Sequence, residues 1–183
     1  MMRCLLVLVS LFVTIPAYAG DSRDQGSGTH GHERQMPKVY DAQGKYVGQL
    51  SNLGNGVYLT IDGAVAFVSV ERVRDSATSS ATRFRWASAN IVYYASSDCS
   101  GAPIIDASNG ARPATAVRAG ADVVLYVAGD ADSTTLHAGS KRQAPNLNVC
   151  AQVTQNGDIR KAFPTESTYP LTEEHPEPLT IEP

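Results

Sequence analysis

Apolar and polar side chains alternate over short stretches of this chain, and turn residues separate one stretch from the next. The clearest case runs from Val57 to Val70, where two such stretches flank Asp62-Gly63. An Asp-Gly pair in this position is typical of a β-hairpin with a two-residue type I′ turn. The register set by that turn gives three apolar pairs on one face: Ile61 with Ala64, Leu59 with Ala66, and Val57 with Val68.

The second face of this hairpin is apolar as well. It carries Tyr58 opposite Phe67 and Thr60 opposite Val65. Because a solvated sheet face is normally polar, a strand pair that is apolar on both faces needs cover on both. We therefore expect the hairpin to lie in a sandwich or barrel where a loop covers the second face.

Other stretches predict further strands. Phe84 and Trp86 are expected to face the core. The remaining predicted segments are two short strands within residues 38–50, a loop at 71–81, a strand at 91–95, a hairpin joining 114–118 to 122–127, and a last hairpin joining 149–155 to 159–163. No stretch in this part of the chain has the apolar period of an amphipathic helix. The pattern predicts one all-β domain at residues 38–163, an antiparallel sandwich or partly closed barrel.

The residues on either side of this domain differ from it in composition. Residues 20–37 are Gly-rich and polar, which predicts a flexible linker. Its His30 and His32 could hold a metal ion weakly, but a structural site needs a rigid frame and more ligands. Residues 164–183 are rich in Pro and Glu without Lys or Arg, and predict an extended acidic tail without fixed structure. Such a tail either binds a basic partner or only keeps the chain solvated.

Residues 1–19 have the pattern of a secretory signal peptide. Arg3 precedes an apolar stretch from Leu5 to Ile15, and Ala17-Tyr18-Ala19 has the small residues of a cleavage site. That stretch is shorter than the roughly 20 residues of a transmembrane helix. We predict an exported protein, periplasmic or extracellular, without an integral membrane segment after cleavage.

Two cysteines, Cys99 and Cys150, follow the predicted signal peptide. In an oxidising compartment such a pair most simply forms a disulfide. The alternatives are two free thiols or one catalytic thiol, but no histidine-bearing motif surrounds either cysteine. We predict the disulfide, which would brace the loop after the strand at 91–95.

The formal net charge of −3 argues against a general nucleic-acid binder, which needs a basic surface. Motifs for nucleotide, zinc or hydrolase chemistry are absent from the sequence, so no cofactor or metal is expected. His137 could form a triad with Ser133 or Ser140 and Asp130, but triads are defined by geometry rather than spacing. Asp130, Asp132 and Ser133 could offer oxygens to calcium, although an Asp-rich turn is the simpler interpretation.

Four aromatic residues on predicted strands form a candidate ligand surface: Tyr58, Trp86, Tyr93 and Tyr94. Aromatic rings in such a row can bind sugar rings. The alternative is that they pack in the core or against neighbouring strands.

Two motifs resemble those of an uncharacterised kind of bacterial exported β-domain. One is the opening Val-Tyr-Asp-Ala-x-Gly-x-x-Val-Gly, which begins at Val39, and the other is the loop Tyr-x-Ser-x-Asp-Cys-x-Gly, which begins at Tyr94. The resemblance implies a secreted or surface-associated β-domain and supplies no catalytic residues.

Taken together, the sequence predicts a non-enzymatic exported β-domain with a binding or structural role at the cell envelope or outside the cell. A glycan or a protein is the expected partner. The alternatives are a carbohydrate-binding module and, in another class, a secreted hydrolase that uses His137.

Overall fold

The computed structural model describes residues 36–106, 111–153 and 157–183. For residue 160 it describes the backbone and not the side chain. Its strands are β1 (Lys38–Tyr40), β2 (Tyr46–Gln49), β3 (Gly56–Ile61), β4 (Ala64–Asp75), β5 (Thr78–Trp86), β6 (Ile91–Tyr94), β7 (Pro103–Asp106), β8 (Ala114–Ala119), β9 (Asp122–Ala128), β10 (Thr134–His137), β11 (Ser140–Gln143), β12 (Asn146–Gln152), β13 (Asp158–Phe163), β14 (Thr165–Pro170) and β15 (Leu179–Glu182). A short helix, α1, spans Leu171–Glu174. The predicted all-β class is confirmed.

Three antiparallel sheets contain these strands. The first has the order β2-β1-β15-β5-β4-β3, and a bridge between Leu50 and Val57 brings its two outer strands together, so the sheet is nearly closed and barrel-like. The second has the order β10-β13-β7-β6-β11-β12 and forms a half-barrel. The third contains β14, β9 and β8.

The largest hydrophobic core joins the first sheet to the third. Alternation explains its composition, because every second residue of a strand points to the same face. Its most completely buried side chains are Val39, Val57, Val68, Trp86, Val123, Leu125, Leu171 and Leu179. Trp86 and Phe84 face this core as predicted.

The β3–β4 hairpin has the predicted turn and register. Asp62 and Gly63 have φ angles of 49° and 82°, and the type I′ turn requires positive values at both positions. All pairs from Gly56 with Ser69 to Ile61 with Ala64 lie in the predicted register. The predicted hairpin of β8 and β9 is confirmed as well.

Two local predictions are wrong. Residues 71–81 are largely strand, because β4 and β5 continue as a two-stranded ribbon to the Asp75–Thr78 pair. Backbone pairing needs no apolar side chain, so the charged and Ser/Thr-rich composition did not prevent it. The predicted last hairpin is absent: β12 instead forms a hairpin with the preceding strand β11, whereas β13 pairs with β10 and β7.

The prediction of an acidic tail without structure at residues 164–183 is also wrong. This segment forms β14, α1 and β15, and β15 occupies the position between β1 and β5. Leu171 and Leu179 are fully buried in the main core. The burial of these two leucines and the pairing of β14 and β15 with their neighbouring strands hold the segment in place, although its average composition is polar. The folded domain therefore extends beyond the predicted end at residue 163.

The predicted disulfide between Cys99 and Cys150 is present, with the two Cα atoms 5.8 Å apart. It joins the loop after β6 to β12. The predicted signal peptide at 1–19, and the predicted linker with His30 and His32, lie outside the described residues except for positions 36 and 37.

Candidate functional site

An open groove of about 850 Å³ lies on the outer side of the barrel-like sheet, where β2 meets β3. Three aromatic rings line it, those of Tyr46, Tyr58 and Phe67. Tyr46 and Tyr58 are 49% and 50% exposed, so much of both rings is accessible to a ligand. An exposed apolar surface of this kind commonly marks an interaction site.

Strand alternation puts these rings on the outside. In β3, Val57, Leu59 and Ile61 point into the core, so Tyr58 must point outward. Phe67 is its cross-strand partner in β4, and their ring centroids are 5.3 Å apart with the planes tilted by 59°. Such tilted pairs stabilise the position of both rings.

Gly56 leaves the space that the Phe67 ring occupies. A Cβ atom at position 56 would collide with the Phe67 ring, so only glycine leaves room for the ring to lie across β3 at this point. Glycine at this position therefore allows the Phe67 ring to pack beside Tyr58 on the outer face.

Polar side chains beside the rings are amides and hydroxyls. Gln49 is the last residue of β2, and Asn52 and Asn55 lie in the loop between β2 and β3. That loop is held by its own hydrogen bonds: the backbone N–H of Ser51 donates to the carbonyl of Gly56 at 2.7 Å, and the Ser51 hydroxyl donates to Asn55 Oδ1 at 3.1 Å. Amide side chains both donate and accept, so the groove can bind a ligand that does the same.

The predicted aromatic surface is not brought together. Tyr58 lies in the groove, but Trp86 is completely buried in the main core and Tyr94 is 4% exposed. Tyr93 is half-buried on the half-barrel sheet. Burial raises the pKa of the Tyr94 hydroxyl. The Arg142 guanidinium, whose Cζ lies 5.7 Å from the Tyr94 ring centroid, partly offsets this rise.

Two groove aromatics, Tyr46 and Phe67, were missed as site residues. The signal for Phe67 was present in the sequence, since its pairing with Tyr58 on the second face was predicted. The expected covering loop is the part that is wrong, because Tyr58 is half exposed. Tyr46 had no such signal, since only the approach of β2 to β3 places it there.

The predicted triad is not assembled either. His137 is exposed, and its Nδ1 lies 3.1 Å from Oδ1 of Asp158 rather than near Asp130, which pairs with Arg112. The Ser140 hydroxyl donates to the Ser96 carbonyl at 2.7 Å and accepts from the Cys99 N–H at 2.8 Å. That serine therefore braces the cysteine loop.

Neither the calcium hypothesis nor another metal site gains support from the geometry. Over residues 36–106, 111–153 and 157–183, no group of three or more His, Cys, Asp or Glu side chains is arranged to hold a metal ion. In the cysteine loop, the Asp98 carboxyl accepts hydrogen bonds from the side chain and the backbone N–H of Ser100. These hydrogen bonds lower the pKa of the exposed carboxyl and connect the two ends of the turn.

A buried polar cluster escaped the sequence analysis. Asp41 Oδ1 accepts hydrogen bonds from the backbone N–H groups of Gln43 and Lys45, both at 2.9 Å, and its Oδ2 lies 3.3 Å from Nδ1 of His175. His175 Nε2 lies 3.4 Å from the Tyr169 hydroxyl, whose pKa is raised by burial and then by Glu174. The cluster ties the turn after β1 to the C-terminal segment. It was missed because His175 lies in the stretch predicted to be an unstructured tail.

Glu177 makes a second connection to that segment. Its Oε1 accepts the Trp86 backbone N–H at 2.7 Å and pairs with the Arg118 guanidinium at 2.6 Å, and its Oε2 lies 3.3 Å from the same guanidinium. Arg118 also donates to the Trp86 carbonyl at 2.8 Å. Both side chains of the ion pair are about one-fifth exposed.

Glu177→Ala is expected to lower the free energy of unfolding by about 2–3 kcal/mol, because it removes the carboxylate from a largely buried guanidinium and leaves the Trp86 backbone N–H without its acceptor. Urea unfolding followed by circular dichroism measures the effect. Glu173→Ala, which removes an exposed carboxylate from α1, is the matched control and should change stability by less than about 0.5 kcal/mol. Equal effects of the two substitutions would contradict the assigned role of Glu177.

Comparisons with models of protein families, with curated proteins and with solved structures found no match to this chain. The resemblance to exported β-domains therefore stays a prediction. Within the residues described, no helix has the length and hydrophobicity needed to cross a membrane.

Proposed function

We propose that the chain is a non-enzymatic binding domain of an exported protein, and that it binds a carbohydrate chain in the outer groove of the barrel-like sheet. The observation that carries this proposal is the group of three rings, the half-exposed Tyr46 and Tyr58 and the partly buried Phe67, next to the amides of Gln49, Asn52 and Asn55.

The chemistry of a sugar matches both parts of the groove. A pyranose ring presents a patch of C–H groups on one face, which packs on an aromatic ring as other apolar groups do. Its hydroxyls both donate and accept hydrogen bonds, and the Asn and Gln amides offer both functions. Pockets that combine apolar surface with a few polar groups are typical ligand sites.

Two observations support a binding role over catalysis. Glycoside hydrolysis commonly needs a pair of carboxyl groups beside the scissile bond, and no described side chain of the groove lining is Asp or Glu. Elsewhere, His137 contacts Asp158, whereas the Ser140 hydroxyl that the hydrolase hypothesis considered is hydrogen-bonded to the backbone of Ser96 and Cys99. We therefore do not propose the hydrolase further.

The disulfide supports the exported location. Disulfides persist in oxidising compartments such as the periplasm or the cell exterior, and Cys99 and Cys150 are bridged.

Tyr58→Ala is expected to weaken carbohydrate binding at least tenfold, about 1.4 kcal/mol, because it removes a stacking ring. A glycan array first identifies oligosaccharides that bind the purified wild-type protein, and calorimetric titration then gives the dissociation constants. Tyr46→Ala should have a similar effect.

Tyr58→Phe is the matched control, since it keeps the ring, and it should bind within about threefold of wild type. Ile91→Ala removes an exposed apolar side chain on the half-barrel sheet and should leave binding unchanged. Wild-type affinity in Tyr58→Ala, or an array without any bound glycan, would overturn the proposal.

A further inference from the structure

The groove lining lacks ionic side chains. Among the described residues that form it, none is Asp, Glu, Lys, Arg or His, and its polar groups are amides, hydroxyls and backbone. The domain is not poor in charge elsewhere, since the neighbouring ribbon of β4 and β5 carries Glu71 paired with Arg85 at 2.8 Å. The described lining of the groove is thus electrically neutral, although the surface beside it is charged.

The nearest cations point to other partners or lie outside the lining. Lys45 precedes Tyr46 in the chain, but its ammonium donates to the Glu174 carbonyl at 3.3 Å and lies 4.0 Å from the carboxylate of the same residue. Lys38 is exposed and lies opposite Gln49 in the register of β1 and β2, but it is not one of the residues that line the groove.

From this neutrality we infer that the groove selects uncharged glycans and rejects those that carry carboxylate, sulfate or ammonium groups. The inference rests on the proposed function and specifies its ligand class. A charged group that enters the groove gives up part of its hydration and meets no opposite charge there, which is unfavourable. Hydroxyls and N-acetyl groups exchange water for the amides of Gln49, Asn52 and Asn55 at little cost.

Matched pairs of oligosaccharides test the selectivity. Cellohexaose is compared with its C6-carboxylated form, and the hexamer of N-acetylglucosamine with its fully deacetylated form. Each pair keeps linkage and length. The first pair replaces C6 hydroxymethyl groups by carboxylates, and the second replaces N-acetyl groups by ammonium groups, so the added charge has opposite sign in the two pairs. The same comparison is made for every neutral glycan that binds on the array, against its carboxylated or sulfated counterpart. The neutral members are expected to bind at least tenfold more tightly, with dissociation constants that differ less than twofold between 50 mM and 500 mM NaCl, because no ion pair forms.

A variant reverses the preference. Gln49→Lys places a cation in the groove and should improve binding of the carboxylated members at least fivefold, with a dependence on salt that wild type lacks. Gln152→Lys adds the same charge on the exposed strand β12 and should have no effect. A charged glycan that binds wild type as tightly as its neutral counterpart would overturn the inference while leaving carbohydrate binding intact. Binding to no glycan of either kind would overturn the proposed function, and the inference with it.

Discussion

A chain that ends at Pro170 is expected to lose cooperative unfolding altogether. Without β15 the barrel-like sheet has a gap between β1 and β5, whose backbone groups then lack partners. Leu171 and Leu179 are fully buried, and loss of one such side chain costs about 2–5 kcal/mol. Together with the contacts of His175 and Glu177, these losses equal or exceed the total stability of about 5–15 kcal/mol of a typical domain.

Urea titration followed by far-ultraviolet circular dichroism and tryptophan fluorescence measures this effect, since Trp86 lies beneath the missing segment. If the truncated chain is too insoluble to study, Leu171→Ala and Leu179→Ala in the full chain keep the prediction testable, each with a loss of about 2–5 kcal/mol. Removal of Pro183 alone is the control and should leave the midpoint unchanged. A cooperative transition at the wild-type midpoint in the chain ending at Pro170 would show that the segment is dispensable.

Replacing both Cys99 and Cys150 with alanine is expected to lower the free energy of unfolding by about 4 kcal/mol. The disulfide closes a loop with a sequence separation of 51 residues, and cross-linking a loop of that length removes about this much conformational free energy from the unfolded chain. Alanine is preferred to serine because Cys99 is 5% exposed and packs with Val92 and Tyr94.

Equilibrium unfolding in urea compares the double variant with the wild type, both with and without a reducing agent. The reductant should destabilise the wild type to about the level of the variant and leave the variant unchanged. A change below about 1 kcal/mol on removing both cysteines would contradict a bracing role for the disulfide, because the loop-closure estimate is several times larger.

Local chemistry made the hairpins predictable. Asp62-Gly63 fixes turn type and register within a few residues, and the alternation on either side decides which side chains enter the core. The pairing of β12 and β13 was not predictable in this way. The Asn-Gly sequence at positions 156 and 157 suggested that these two strands pair with each other. Instead, β12 pairs with the preceding strand β11, and β13 pairs with β10 and with the more distant β7.

The C-terminal segment shows why composition alone misleads. Averaged over residues 164–183, prolines and acids dominate, yet the decisive side chains are Leu171 and Leu179. By composition Glu177 counts as one more solvated acid of the tail. In the structure it accepts hydrogen bonds from Arg118 and from the backbone N–H of Trp86. The Arg118 side chain that makes this carboxylate structural lies far away in the sequence, so no local pattern reveals it.

The sequence predicted the Tyr58–Phe67 pair of the candidate site but not the groove around it. Alternation put Tyr58 and Phe67 on one face of the hairpin, and the structure confirms this pairing. Trp86 was assigned both to the core and to a ligand surface, and only the core assignment agrees with its burial. The groove itself depends on closure of the sheet between β2 and β3, which brings Tyr46 and the Asn52–Asn55 loop beside the rings. Closure of a sheet is a property of the whole fold, not of any local stretch.

The most direct test of carbohydrate binding in the groove is chemical-shift mapping of the ¹⁵N-labelled protein with the strongest oligosaccharide from the array. Binding at the proposed site predicts shifts concentrated in β2, in the loop at 51–55, and around Tyr58 and Phe67, and the Tyr58→Ala variant should need at least tenfold more ligand for the same shifts. Shifts concentrated around Tyr93 or His137 on the half-barrel sheet, or none at saturating ligand, would contradict it.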